Sequence, residues 1–186
     1  MYYFFRPKIV YWKGNSISAR FVSKNLGDLE RVWWYGKPLQ PIPLEFLFCI
    51  PARASVLDNY YPGLVLDIYS AKLIEIFRNH GIHFELFPAK FIDCKTEKTL
   101  DMNHHVFRLL DISDCLDEEK TEYKTMMWVG DREVKMLTKP SFTDDFLRSG
   151  ILLTRIRGNE KYVLIHESLK REIESAGISG CNFGTE

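Results

Sequence analysis

The stretch LVLDIYSAKLIEIFRNHGIHFELFPAKFI, residues 64–92, contains the clearest folding signals of this 186-residue chain. Ser70 is a favourable residue for the N-cap of a helix, and Leu73 and Phe77 follow it at helical spacing. Gly81 is the residue type that most easily takes the left-handed conformation at a helix end. The stretch therefore predicts a helix that begins after Ser70, ends at Gly81 and leads into a strand.

A similar pattern closes the chain in YVLIHESLKREIESAGISGCNF, residues 162–183. A strand leads into a helix that has Leu169 and Ile173 on one face and Gly177 after its end. Superposing the glycines of the two segments also aligns their apolar helix positions. The match can record an internal duplication or the general behaviour of a helix that ends at glycine and turns into a strand. We favour the general explanation, because glycine commonly ends helices.

The remaining strand candidates are short aromatic or β-branched runs separated by turn residues. They lie at residues 2–5, 9–12, 32–35, 46–50, 83–87, 99–109, 133–138 and 151–155. Strands far outnumber helices, and most are close enough in sequence to pair antiparallel. The pattern predicts an α+β fold with mostly antiparallel sheets. We expect a single domain over residues 1–186, with a β-rich aromatic part at 1–54 followed by the part at 55–186.

The cysteines Cys49, Cys94, Cys115 and Cys181 are dispersed, without a CxxC pair. This spacing predicts free thiols in a reducing compartment and argues against a disulfide framework or a structural zinc site. The opening residues lack the features of a signal peptide, and no run of 18 apolar residues occurs. We therefore expect a cytoplasmic protein that does not bind membranes.

Motifs for catalysis and cofactor binding are missing from the sequence. No GxSxG, P-loop, GxGxxG or HExxH pattern is present. His80 and His83 span a predicted helix end, and His104 and His105 are neighbours on a predicted strand, where they would point to opposite faces. We expect no metal site, no cofactor and no catalytic residues, and hence a protein that acts by binding.

Charge is balanced overall, with 25 basic and 25 acidic residues, so no global field attracts nucleic acid. The balance is uneven along the chain, because residues 111–186 hold eleven basic and fifteen acidic residues. The most biased window is LLDISDCLDEEKTEYK, residues 109–124. It is either a solvated stretch or a patch that attracts a basic partner. Its acidic residues are Asp111, Asp114, Asp117, Glu118, Glu119 and Glu122.

A second candidate surface is the aromatic cluster Trp33, Trp34 and Tyr35. Alternation on a strand would place Trp34 on one face and its two neighbours on the other. Aromatic residues are enriched in protein interfaces, but they also fill ordinary cores. The core explanation is favoured, and an exposed binding face is the alternative.

Three segments resemble one family of bacterial immunity proteins, the eleventh family of polymorphic-toxin immunity proteins. They are GIHFELFPAKF at 81–91, NHHVFRLLDISDC at 103–115 and LLTRIRGNEKYVLIHESLKREIESAGISGCNF at 152–183. The last carries the family order of an arginine-bearing strand with Arg155, a second strand, a helix opening at Glu167 and Ser168, and a closing aromatic, Phe183. The likeness extends from about residue 55 to the end.

The resemblance implies a cytoplasmic protein that binds and neutralises a toxin encoded beside it. It transfers no catalytic residue, and it leaves the toxin and the oligomeric state open. An enzyme with a dispersed site, for example His104, Arg108 and Asp111, is the first alternative. A structural or scaffold module is the second.

Overall fold

The structure, a computed structural model, describes residues 1–8, 10–12, 15–17, 19–22, 46–51, 56–60, 66–128 and 132–184. Within these ranges the chain forms sixteen strands and three helices. The strands are β1 Tyr2–Pro7, β2 Val10–Trp12, β3 Asn15–Ile17, β4 Arg20–Phe21, β5 Phe46–Ile50, β6 Asn59–Tyr60, β7 Asp67–Ser70, β8 Phe84–Asp93, β9 Thr99–Leu100, β10 His104–Leu109, β11 Ile112–Ser113, β12 Glu122–Trp128, β13 Arg132–Lys139, β14 Leu153–Ile156, β15 Asn159–His166 and β16 Cys181–Gly184. The helices are α1 Ala71–Asn79, α2 Asp144–Arg148 and α3 Glu167–Ser175.

Two sheets carry the fold. The first has the strand order β11-β14-β15-β1-β16, and the second has the order β4-β5-β8-β10-β7-β6 with β9 paired to β8. Only the pairs β11–β14 and β5–β8 are parallel in the described part of the chain. The strands β12 and β13 form a separate hairpin. The prediction of an α+β fold with mostly antiparallel sheets is confirmed.

The two segments with similar sequence patterns build the same unit. In one, β7 leads through α1 to β8, and both strands pair antiparallel with β10 between them. In the other, β15 leads through α3 to β16, and both strands flank β1. Gly81 and Gly177 follow the helix ends with φ of 66° at each. The predicted helix ends and the N-cap at Ser70, whose Oγ accepts from the Leu73 N–H at 3.2 Å, are confirmed.

Apolar side chains form three clusters, which follow the alternation of the strands. The central cluster is shared by both sheets and by α1 and α3, and it includes Phe5, Phe77, Phe107, Ile165, Leu169 and Ile173. The opposite face of the second sheet carries Phe46, Phe48, Ile68, Phe91 and Val106. The opposite face of the first sheet carries Tyr2, Phe4 and Leu164, which belong to one cluster with Phe146 of α2.

A buried ion pair joins the two sheets. Arg155 on β14 is 3% exposed, and its Nη2 lies 3.6 Å from Oδ2 of Asp67 on β7. Burial raises the pKa of Asp67 to about 6, even though the charge of Arg155 acts in the opposite direction. The arginine that carries part of the family resemblance therefore has a contact between sheets.

The expectation of four free thiols is wrong for two cysteines. Cys49 on β5 and Cys94 directly after β8 form a disulfide with a Cα–Cα distance of 4.9 Å. The cause is the parallel pairing of β5 with β8, which aligns Ile50 with Asp93 and so brings the two cysteines together. Their separation of 45 residues conceals this neighbourhood in the sequence. Cys115 and Cys181 are free, as predicted.

Most predicted strands have counterparts in the structure, with shifted ends. The run at 99–109 is divided into β9 and β10, and the run at 151–155 becomes Leu153–Ile156. The candidate at 32–35 lies outside the described residues. The strands β3, β4, β6, β11 and β12 and the helix α2 were not predicted. Across the ranges that the structure describes, no helix has the length and apolar character needed to cross a membrane.

Candidate functional site

The acidic window begins at the end of β10, includes β11 and a turn, and ends in the first residues of β12. Its first acidic residue, Asp111, makes contacts through both its side chain and its backbone. Its Oδ1 lies 2.9 Å from Nδ1 of His83, and its carbonyl accepts from the Arg155 N–H at 2.9 Å. Asp111 therefore joins the window to β14 and to the loop before β8. Its carboxylate contacts His83, so its role is structural.

Three carboxylates further along the window contact neighbours within the same surface. Asp117 accepts from Nζ of Lys120, and this hydrogen bond lowers the pKa of Asp117. Glu118 accepts from the Tyr123 hydroxyl at 2.8 Å. Glu122 pairs with Lys139 across the β12–β13 hairpin at 3.0 Å. These are exposed contacts, which contribute little to stability and can be exchanged for contacts with a partner.

The helix α2 brings two further carboxylates, Asp144 and Asp145, beside the window. The Thr143 N–H donates to the Cys115 carbonyl at 3.0 Å, and Leu116 forms a β-bridge with Phe142. Thr143 is also the N-cap of α2, because its Oγ1 accepts from the N–H three residues later. The charge of Asp144 contributes to a raised pKa of Lys120, after that lysine's hydrogen bond and ion pair with Asp117.

We call the surface formed by residues 114–120 and 143–149 the acidic face. It holds six carboxylates and two cations, the latter being Lys120 and Arg148. Glu119 is exposed within its central turn. The carboxylates are Asp114, Asp117, Glu118, Glu119, Asp144 and Asp145. Two separate segments of sequence thus contribute to a single negative surface.

An open cavity of about 570 Å³ lies on the acidic face between β11 and α2. Its polar groups are held by the surrounding structure. The Ser149 Oγ donates to the Phe146 carbonyl at 2.7 Å, and the Ser113 Oγ lies 2.9 Å from the Thr154 Oγ1. The lining residues are Ser113, Asp114, Leu116, Thr143, Asp145, Phe146, Ser149 and Ile151.

The residues named for a dispersed enzyme site make separate contacts. The His104 Nε2 lies 2.7 Å from the Leu57 carbonyl, and burial lowers the pKa of this histidine. The Arg108 Nη1 lies 2.9 Å from a carboxylate oxygen of Glu85. Asp111 contacts His83, as described above. The structure therefore gives each of the three a different partner.

Possible metal ligands are also dispersed. The His80 Nε2 contacts Glu172 at 2.5 Å, which joins α1 to α3, whereas His83 contacts Asp111. Among the residues that the structure describes, no group of three or more histidine, cysteine or acidic side chains could hold a metal ion. The aromatic cluster Trp33, Trp34 and Tyr35 lies outside the described residues.

Neither the models of known protein families nor the curated protein sequences match this chain. The resemblance to immunity proteins therefore stays a prediction from the sequence. The function has to be argued from the acidic face and its cavity.

Proposed function

We propose that this protein binds and neutralises a cognate bacterial toxin, and that the acidic face is its contact surface. The observation that carries the proposal is that the acidic window lies beside the segment with Asp144 and Asp145 and forms one negative surface with it, in which Asp114 and Asp145 line an open cavity. The resemblance to immunity proteins supports the same function. Neutralisation needs no chemistry by this chain, because a bound inhibitor blocks the toxin by covering a surface that the toxin needs.

The charges of the acidic face suit a partner with a basic surface. Six carboxylates against two cations produce a local negative potential although the whole chain is neutral. Such a field accelerates the encounter with an oppositely charged protein, and it weakens as salt shortens the Debye length. A toxin that acts on nucleic acid would present such a basic surface.

The acidic face also offers apolar contacts. Leu147 on α2 is 47% exposed, and Phe142 and Ile151, which lie just outside the face in sequence, are half-buried. An apolar centre surrounded by polar groups is the usual arrangement of a protein interface. A specific complex of this kind would bury about 1,600 Å² in total, with a few side chains contributing most of the affinity.

The first test is neutralisation. The toxin encoded next to this protein is expressed with and without it, and survival is scored. We expect rescue, together with a one-to-one complex in size-exclusion chromatography with light scattering. A toxin that kills equally well in the presence of this protein would refute the proposed function.

The second test locates the contact surface by association kinetics. Reversing Asp114, Asp117 and Glu118 to lysine should slow association steeply at low salt and little at high salt, because the Debye length falls from about 30 Å at 0.01 M to about 3 Å at 1 M. The dissociation rate should change little. A matched control reverses three exposed carboxylates on other elements, namely Glu75, Asp101 and Glu174.

The control triple should slow association much less than the triple on the acidic face. Equal slowing by both would mean that net charge alone is responsible and that the acidic face is not the contact. An unchanged association rate of the first triple at low ionic strength would also remove the acidic face as the contact, while leaving the rescue result in place.

A further inference from the structure

We propose that the cavity between β11 and α2 is a binding site for an arginine side chain of a partner protein. The proposal deepens the function above, since the toxin would supply this arginine. The site itself is defined by its own geometry and can be tested without the toxin.

The concave shape is the first argument. A volume of about 570 Å³ lies within the range of about 300–1,000 Å³ that is typical of ligand sites. The cavity can therefore take a complete arginine side chain with part of the backbone that carries it. The neighbouring acidic residues Asp117, Glu118 and Glu119 do not line it, so the site is distinct from the general negative charge of the acidic face.

The polar lining consists of hydrogen-bond acceptors suited to a guanidinium group. Two carboxylate residues, Asp114 and Asp145, and three hydroxyl residues line the same space, and none of the lining residues that the structure describes is basic. The Ser149 hydroxyl donates to the Phe146 carbonyl and accepts from the Ile151 N–H at 3.3 Å, so the acceptors that matter most to a guanidinium are the two carboxylates. A guanidinium has five N–H donors in one plane and no acceptor, which matches a lining dominated by oxygen.

The carboxylates are available to a ligand. Within the described ranges Asp114 is exposed and makes no ion pair or hydrogen bond through its side chain. Asp145 contacts Arg148 at 3.2 Å, but the side chains of both are largely exposed, at 99% and 75%. Exposed pairs of this kind are worth little, so an arginine from a partner can replace Arg148.

The apolar lining suits the rest of the side chain. Leu116, Phe146 and Ile151 provide one wall of the cavity. Arginine buries its three methylenes along apolar surface while its charged end reaches polar groups. The Phe146 ring packs against the Tyr2 ring at a centroid distance of 4.4 Å, and both Phe146 and Leu116 are buried. A wall that is already packed in place lowers the entropic cost of binding, because the site itself need not be ordered.

The test is a titration followed by two-dimensional amide NMR, with N-acetyl-arginine amide as the probe. We expect saturable shifts confined to the amides of the cavity lining, with a millimolar dissociation constant. N-acetyl-citrulline amide has nearly the same shape without the charge and should cause no saturable shifts. N-acetyl-lysine amide should bind at least several-fold more weakly, because it lacks the planar donors.

Variants assign the effect to the cavity. Asp114→Asn and Asp145→Asn should each weaken arginine binding about tenfold, because each removes a charge-assisted contact. Glu75→Gln, which changes an exposed carboxylate of α1 outside the acidic face and the cavity, should leave binding unchanged. The amide spectrum of each variant reports at the same time whether it is folded.

The proposal is overturned by shifts that do not saturate, by shifts elsewhere on the protein, or by equal responses to arginine and citrulline. Equal binding of lysine would overturn the preference for a guanidinium. A chain that neutralises its toxin but does not bind the arginine probe would contradict the cavity site alone. A chain that binds the probe but rescues no cells would contradict the proposed function alone.

Discussion

Reduction of the Cys49–Cys94 disulfide should destabilise the protein by about 4 kcal/mol. The bond joins residues that are 45 apart in sequence, and the loop-closure relation gives about 13 cal/mol/K for a loop of this size, or about 4 kcal/mol at 25 °C. For a domain of this length the corresponding loss is about 8–16 °C in melting temperature. Thermal and urea unfolding with and without dithiothreitol measure it.

A single variant separates the bond from local packing. Cys94 is exposed, whereas Cys49 is buried, so Cys94→Ser breaks the disulfide and keeps the buried sulfur in place. Its stability should match that of the reduced wild type, and dithiothreitol should have no further effect on it. Thiol titration of the unfolded, unreduced wild type should find two free thiols, Cys115 and Cys181.

The reasoning fails if four thiols titrate in the unreduced protein that was kept from reductants. It also fails if reduction leaves the unfolding midpoint unchanged. A large loss in Cys94→Ser with no effect of reductant on the wild type would assign the loss to the substituted side chain instead of to the bond.

Three further outcomes can be measured by chemical unfolding. Gly177→Ala should lower the free energy of unfolding by about 1 kcal/mol through its positive φ alone. Gly180→Ala should lower it several-fold more, because its added Cβ would lie 2.3 Å from the Asn59 carbonyl oxygen. Equal losses in the two variants would contradict this reasoning. Burial raises the pKa of Asp67 from 3.8 to about 6, so the native state keeps a proton that the unfolded chain has lost. Wild type should lose stability relative to Asp67→Asn as pH rises from 4 to 6. A stability difference that does not change with pH would refute the raised pKa. Burial lowers the pKa of His104 below 6.5, so the native state disfavours the charged ring. Wild type should therefore lose stability relative to His104→Gln as pH falls from 7 to 5. A stability difference that changes in the opposite direction with pH would contradict a buried neutral ring.

Local signals in the sequence were sufficient for the two strand–helix–strand units. The helix ends depend on residues close to them in sequence, namely the N-cap at Ser70 and the glycines Gly81 and Gly177. Such short-range signals can be recognised in the sequence alone. The helix α2 shows the same kind of signal, since Thr143 followed by two aspartates is a usual helix start.

The long-range features could not be obtained in this way. The disulfide depends on the pairing of β5 with β8, and the cavity depends on a bridge between Leu116 and Phe142. Neither contact has a signature at short range. The acidic window is identified from composition. The aspartates at 144–145 are brought beside it by the tertiary structure, so the sequence predicts only one of the two segments that form the candidate site.

The position of β1 between β15 and β16 has a consequence for synthesis on the ribosome. Residues 2–7 cannot reach their sheet partners until residue 159 and those beyond it have been translated. At about 5–20 residues per second, this interval lasts roughly 8–30 s. During that time the aromatic strand YYFFRP has no native partner in the first sheet, and an unpaired aromatic strand of this kind is a site where a nascent chain can aggregate.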